Sequence, residues 1–191
     1  MEENARMPAT ADQAIAETRA WVELAVIGLN LCPFAKAVQA KGQVRYVTSD
    51  AADTDTLLAQ LCEELSWLAG TPAEETDTTL LIHPGVLQDF DDYNDFLDVA
   101  DAALRSLKLD GVLQVASFHP DYRFAGTEAD DIGNATNRSP YPTLHLLREA
   151  SVDRAVAAFP EPEAIYEANM DTLEALGADG WAALQARWKS A

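Results

Sequence analysis

The sequence predicts an α/β fold: a three-layer domain with a small, mainly parallel sheet and a helical C-terminal third. Three observations predict it. Amphipathic helical segments alternate with short apolar or β-branched runs as far as residue 118. Strands joined through helices of this length are normally parallel, with right-handed crossovers, so helices should cover both sheet faces. Beyond residue 140 the repeating pattern is helical again.

Residues 1–10 read as a flexible leader and residues 11–191 as a single α/β domain, a length that needs no disulfide or metal to complete a core. Ile15, Thr18, Val22, Ala25 and Leu29 recur at steps of three and four, the spacing of one helix face. Pro33 ends or bends that helix, because it lacks an N–H and disfavours helical geometry before it. Val44–Thr48 is a β-branched run after Gly42 and reads as a strand. Leu57, Leu58, Leu61, Leu65 and Leu68 form the stripe of a second helix, stopped at Gly70-Thr71-Pro72. Thr78–Ile82 suits a strand buried on both faces.

Tyr93, Phe96, Leu97, Ala100, Ala103, Leu104 and Leu107 give a third helix with aspartates on its other side, and Asp110-Gly111 turns the chain into a third strand, Val112–Phe118. Residues 119–139 have no period, and a loop of about twenty residues in a compact domain is usually functional or disordered. Ser139-Pro140 resembles an N-cap with proline at the first helical position, which favours a helix through Glu149. The alternative makes Thr143–Arg148 a fourth, antiparallel strand. Helices are expected around Val152–Phe159, Glu163–Leu176 and Trp181–Trp188.

The net charge is −19, from 32 acidic and 13 basic residues. Such a surface repels phosphate backbones and anionic lipids, which argues against nucleic-acid and membrane partners. The few arginines and lysines in loops then become the plausible receivers of a small anionic ligand. The longest apolar stretch, Leu24–Leu29, is far short of the ~20 residues that cross a bilayer, and a cytoplasmic location is expected. Cys32 and Cys62 form no Cys-x-x-Cys pair, so no zinc ribbon or standard dithiol site is encoded. The sequence specifies no cofactor and no oligomeric state.

Parallel sheets bind ligands outside the carboxyl ends of their strands. The second predicted strand ends in Ile82-His83-Pro84 and the third in Phe118-His119-Pro120, so His83 and His119 are the candidates for acid/base work, or else they cap their strands. Cys32 is a candidate nucleophile or redox thiol: at the N-cap of a helix opened by Pro33, with Lys36 four residues on, it has the surroundings that favour a thiolate. The alternative is a small buried hydrophobe. Arg138 and Ser139, with Asn137 beside them, stand before the expected helix as a receiver for carboxylate or phosphate. His145 and Arg148 could share the polar face of that helix with Glu149. Tyr122, with Arg123 and Phe124, could close over the site or pin the loop. No metal is the primary expectation; the alternative is a three-histidine centre of His83, His119 and His145.

The strings GLNLCPFAKAVQAKGQVRY, TTLLIHP, NDFLDVAD, LQVASFHPDYRFAG and TNRSPYPTLHLLREAS resemble the bacterial domain of unknown function 1415 family, from about Thr18 to Trp181. That resemblance implies a free-standing cytoplasmic protein and supplies no catalytic residue. Cys32-Pro33-Phe34-Ala35 with Lys41-Gly42 is also similar to the active-site stretch of omega-class glutathione transferases, although the residues before Cys32 fit a helix rather than a strand. The function expected is an enzyme acting on a small anionic metabolite, with Cys32, His119 and His83 in the chemistry and Lys36, Tyr122, Asn137, Arg138, Ser139, His145 and Arg148 binding substrate. A metal-binding protein and a non-catalytic interaction module are the alternatives.

Overall fold

The computed structural model describes residues 9–158 and 163–191. Most of the expected leader therefore lies outside the described residues, as does Phe159. Thr10 caps the first helix by accepting the Gln13 N–H on its hydroxyl at 3.2 Å. That helix, α1 (Ala11–Trp21), runs on into a π-helical turn, Val22–Ile27. The remaining elements are α2 (Ala35–Ala40), β1 (Val44–Thr48), α3 (Thr54–Gly70), β2 (Thr78–Ile82), α4 (Phe90–Ser106), β3 (Leu113–Phe118), a 3-10 helix (Ile132–Asn137), β4 (Thr143–Arg148), α5 (Glu149–Ala157) and α6 (Glu163–Trp188). Gly177 breaks α6 at a φ of 67°, left-handed geometry that favours glycine.

The four strands lie in the order β1-β2-β4-β3. β1 and β2 pair in parallel, while β4 runs antiparallel to both β2 and β3. The three strands expected from the sequence do share one direction, but the inserted fourth makes the sheet mixed rather than mainly parallel. Alternation along the strands builds two core layers. Leu81, Leu113, Leu144 and Leu146 face α3 and α4, where they meet Leu57, Leu61, Leu65, Phe96 and Leu104. Leu80 faces the other way, into a layer with Trp21, Ala25, Leu31, Leu173, Trp181 and Trp188 from the N- and C-terminal helices. Helices thus cover both faces. Both crossover helices share one face, because successive right-handed crossovers that advance across the sheet in one direction stay on one side.

The helix expected from Ser139-Pro140 is the strand β4. Its local cap signal loses to long-range pairing: Leu144 and Leu146 are fully buried between two neighbouring strands. The Ser139 hydroxyl donates to the Tyr141 carbonyl instead of capping a helix. The strand period of two also separates His145 from Arg148, which a helix would have placed on one face.

Arg148 then takes a structural role. Its guanidinium donates to the carbonyls of Leu68, Thr71 and Thr76 at 2.8, 2.6 and 2.9 Å. It joins carbonyls at the end of α3 and in the turn before β2, and places a cation at the negative pole of that helix. Arg148→Met keeps the stem and removes these bonds; urea unfolding should show a loss of about 2–3 kcal/mol, against about 0.5 kcal/mol or less for exposed Arg154→Met. Equal small losses would contradict the cap.

Candidate functional site

His83 and His119 each lie two residues beyond a strand position that faces α4, so both rings turn to that side. They meet across Tyr93, a fully buried residue of α4. The Tyr93 ring is 5.8 Å from the His83 ring, nearly parallel to it, and 5.1 Å from the His119 ring. Its hydroxyl donates to the Thr143 carbonyl at 2.8 Å and accepts the Phe118 N–H at 3.1 Å. Burial pushes the Tyr93 pKa far up, so the phenol keeps its proton. The two histidine-proline corners therefore occupy one end of the sheet and one face of it.

Hydrogen bonds fix the two imidazoles differently. His119 Nδ1 accepts the Asp121 N–H at 3.0 Å, so the proton sits on Nε2, which donates to the Leu87 carbonyl at 3.1 Å. Both its nitrogens are thus committed to backbone, which is the strand-capping arrangement. Leu87 has a φ of 57°, left-handed geometry that costs a leucine about 1–2 kcal/mol, and the His119 bond helps to hold it. His83 Nδ1 donates to the Val86 carbonyl at 3.1 Å, and its Nε2 is buried with no hydrogen-bond partner among the described residues. Burial lowers the pKa of His83 to about 4 and lowers that of His119; both are neutral at pH 7.

The long segment after β3 is pinned by its own polar groups. Asn134, fully buried, accepts the Phe124 N–H and the Thr127 hydroxyl and donates to the Glu128 carbonyl. Arg138 donates to the carbonyls of Tyr122 and Ala129, and Asn137 donates to the Ser117 carbonyl. Tyr122 stacks edge-on against Phe90 and Phe124, pinning the loop to α4. With no helix behind them, Arg138 and Ser139 lack the free N–H groups of the expected anion receiver, and Arg138 gives Nε and Nη2 to the loop.

Cys32 and His145 belong elsewhere. α2 starts at Ala35 with Phe34 at its cap position, two residues later than the expected start, so Cys32 is not the N-cap. The half-buried thiol follows a helical segment and adjoins Leu31, whose side chain sits in the α6 core layer and whose carbonyl accepts from Asn169. Lys36 is exposed on α2. The likeness to glutathione transferases, which needs a strand before the cysteine, ends there. His145 lies on the sheet face opposite the other two imidazoles, against Phe118. Its Nε2 donates to the Thr78 hydroxyl, which in turn donates to the Leu146 carbonyl. Three imidazoles on two faces cannot share one ion. Among the described residues no group of three or more His, Cys, Asp or Glu side chains is placed to hold a metal.

The parallel pair β1 and β2 ends in a half-open cleft of about 220 Å³, lined by Thr48, Ser49, Asp50, Ala51, Pro84 and Gly85 together with Ala9 and Ala11. Gln60 donates to Asp50 Oδ1 at 2.6 Å, while Oδ2 has no hydrogen-bond partner among the described residues. Sequence reasoning passed over these residues because serine and aspartate after a strand also signal an ordinary turn. Tyr93 was equally hidden, since it falls on the core stripe of α4. So was Glu17, a carboxylate only 2% exposed that accepts from Gln13 and the Tyr141 hydroxyl.

Residues 13–183 match the model of the family described as Protein of unknown function (DUF1415). The chain belongs to that family. No curated protein and no solved structure matches it. No helix among the described residues is long and apolar enough to cross a membrane.

The buried His83 carries a pH signature. Its pKa falls from 6.5 to about 4 on folding, so the unfolded chain takes up the proton first. The stability it contributes is complete above about pH 6.5 and is lost as pH falls toward about 4, by about 3 kcal/mol in all. His83→Asn retains a donor for Val86 and cannot titrate. Chemical denaturation from pH 7 to pH 4 should therefore show a shallower loss in the variant than in the parent. Parallel profiles would contradict a neutral buried imidazole.

Proposed function

We propose that the chain binds a small polar molecule, neutral or cationic, in the cleft at the carboxyl ends of β1 and β2. The carrying observation is the cleft itself: a parallel strand pair ends in hydroxyls, a carboxylate with an unengaged oxygen and the backbone of Gly85, the usual ligand position in such sheets. Among the described residues Asp50 is the one charged residue lining it, and the chain is strongly acidic, so a cation or a neutral hydrogen-bonding molecule suits it better than the anion expected from Arg138 and Ser139. His83 directly precedes the Pro84-Gly85 wall, but its ring is fully buried on the α4 side against Tyr93 and does not line the cleft.

Two substitutions test the site. A Cβ on Gly85 would lie 3.0 Å from the Ala51 carbonyl oxygen, so Gly85→Val narrows the cleft from its backbone side; Asp50→Asn removes its charge and keeps its shape. In a fragment screen read by amide NMR shifts, hits should move Ser49, Asp50 and Gly85. Both variants should weaken the best cationic hit by about tenfold or more, a loss of about 1.4 kcal/mol, while Lys36→Gln leaves it unchanged. Hits that cluster elsewhere, or that ignore both variants, contradict the proposal.

A further inference from the structure

The crossover helices leave a second concavity on their outer side. Leu58 of α3, Leu87 of the linking loop, and Phe96 and Val99 of α4 form its apolar floor, and Asp55, Asp92 and Asp95 form its rim, around a groove of about 370 Å³. On α4, Asp92, Asp95, Phe96 and Val99 fall at i, i+3, i+4 and i+7, one stripe along the helix. Val99 is 39% exposed, far from what a core valine shows. The ion pairs among the described residues are Arg45–Glu64 and Arg123–Asp91, so the three rim aspartates have no cation of their own.

We infer that this groove docks a basic amphipathic helix of a partner protein. An apolar stripe on such a helix fits the Leu58–Leu87–Phe96–Val99 floor, and its lysines or arginines meet Asp55, Asp92 and Asp95. This is the helix-in-groove mode, with apolar anchors at i, i+3, i+4 and i+7. A second copy of this chain is a poor occupant, because two bodies of charge −19 repel on approach. A cationic partner is steered in by the same field. The surface lies on the outside of α3 and α4, apart from the cleft at the ends of β1 and β2, so it can be tested independently of ligand binding there.

The probe is a fluorescent leucine-lysine peptide of about 18 residues with leucines on one helical face, compared with a scrambled peptide of the same composition. Anisotropy should show saturable binding of the amphipathic peptide and at least about tenfold weaker binding of the scrambled one. Asp95→Lys and Val99→Ser should each weaken it by about fivefold or more, whereas Asp153→Lys, on α5, leaves it within about twofold. Raising salt from about 50 to about 500 mM should weaken it further without abolishing it, since the apolar contact is not screened. Equal affinity for both peptides, indifference to Val99→Ser, or an equal response to Asp153→Lys would overturn the inference in favour of diffuse attraction to an acidic surface.

Discussion

The Tyr93 hydroxyl stands where three elements meet. It projects from α4, donates to the first residue of β4 and accepts from the last residue of β3, a pair that also face each other in the strand register. It thus bridges two antiparallel strands at the end of their ladder, from a helix that crosses above them. Because the Tyr93 ring lies against both His83 and His119, the same side chain sets how the two strand corners are spaced. A buried phenol whose donor and acceptor are both used is well placed to fix geometry, since losing either partner would strand a polar group out of water.

Around that point the backbone of the rim is held by side chains rather than by secondary structure. His119 holds the left-handed Leu87, His83 holds Val86, and Asn134, Asn137 and Arg138 hold the long segment that follows β3. Residues that look like chemistry in a sequence are here satisfying carbonyls and amides that no helix or strand covers, as buried backbone requires. Among the described residues the groups left open include the Nε2 of His83, the second oxygen of Asp50 and the aspartates over the α3–α4 groove, which have no ion pair.

Much of this was legible in the sequence. The stripes of α3 and α4 and the runs of β1, β2 and β3 follow from local periodicity, and the shared end of His83 and His119 follows from three strands with one direction. β4 was hidden because Ser139-Pro140 is a sound local helix signal, whereas the strand owes its existence to partners some thirty and sixty residues away in sequence. That one difference moved His145 to the far face and turned Arg148 toward α3. Arg138 could not be read correctly either, since an arginine that binds an anion and one that binds carbonyls have the same sequence. The cleft and the groove depend on how elements sit together, which no single segment encodes.

The most direct test is native-state hydrogen exchange on Tyr93→Phe, a change that removes one oxygen and keeps the ring. If Tyr93 joins the two corners, the amides of Phe118, His119 and His83 should lose protection together, His83 through its bond to the Pro142 carbonyl, while amides of α1 and α6 keep theirs. Loss confined to Phe118, or spread evenly over the chain, would contradict that account.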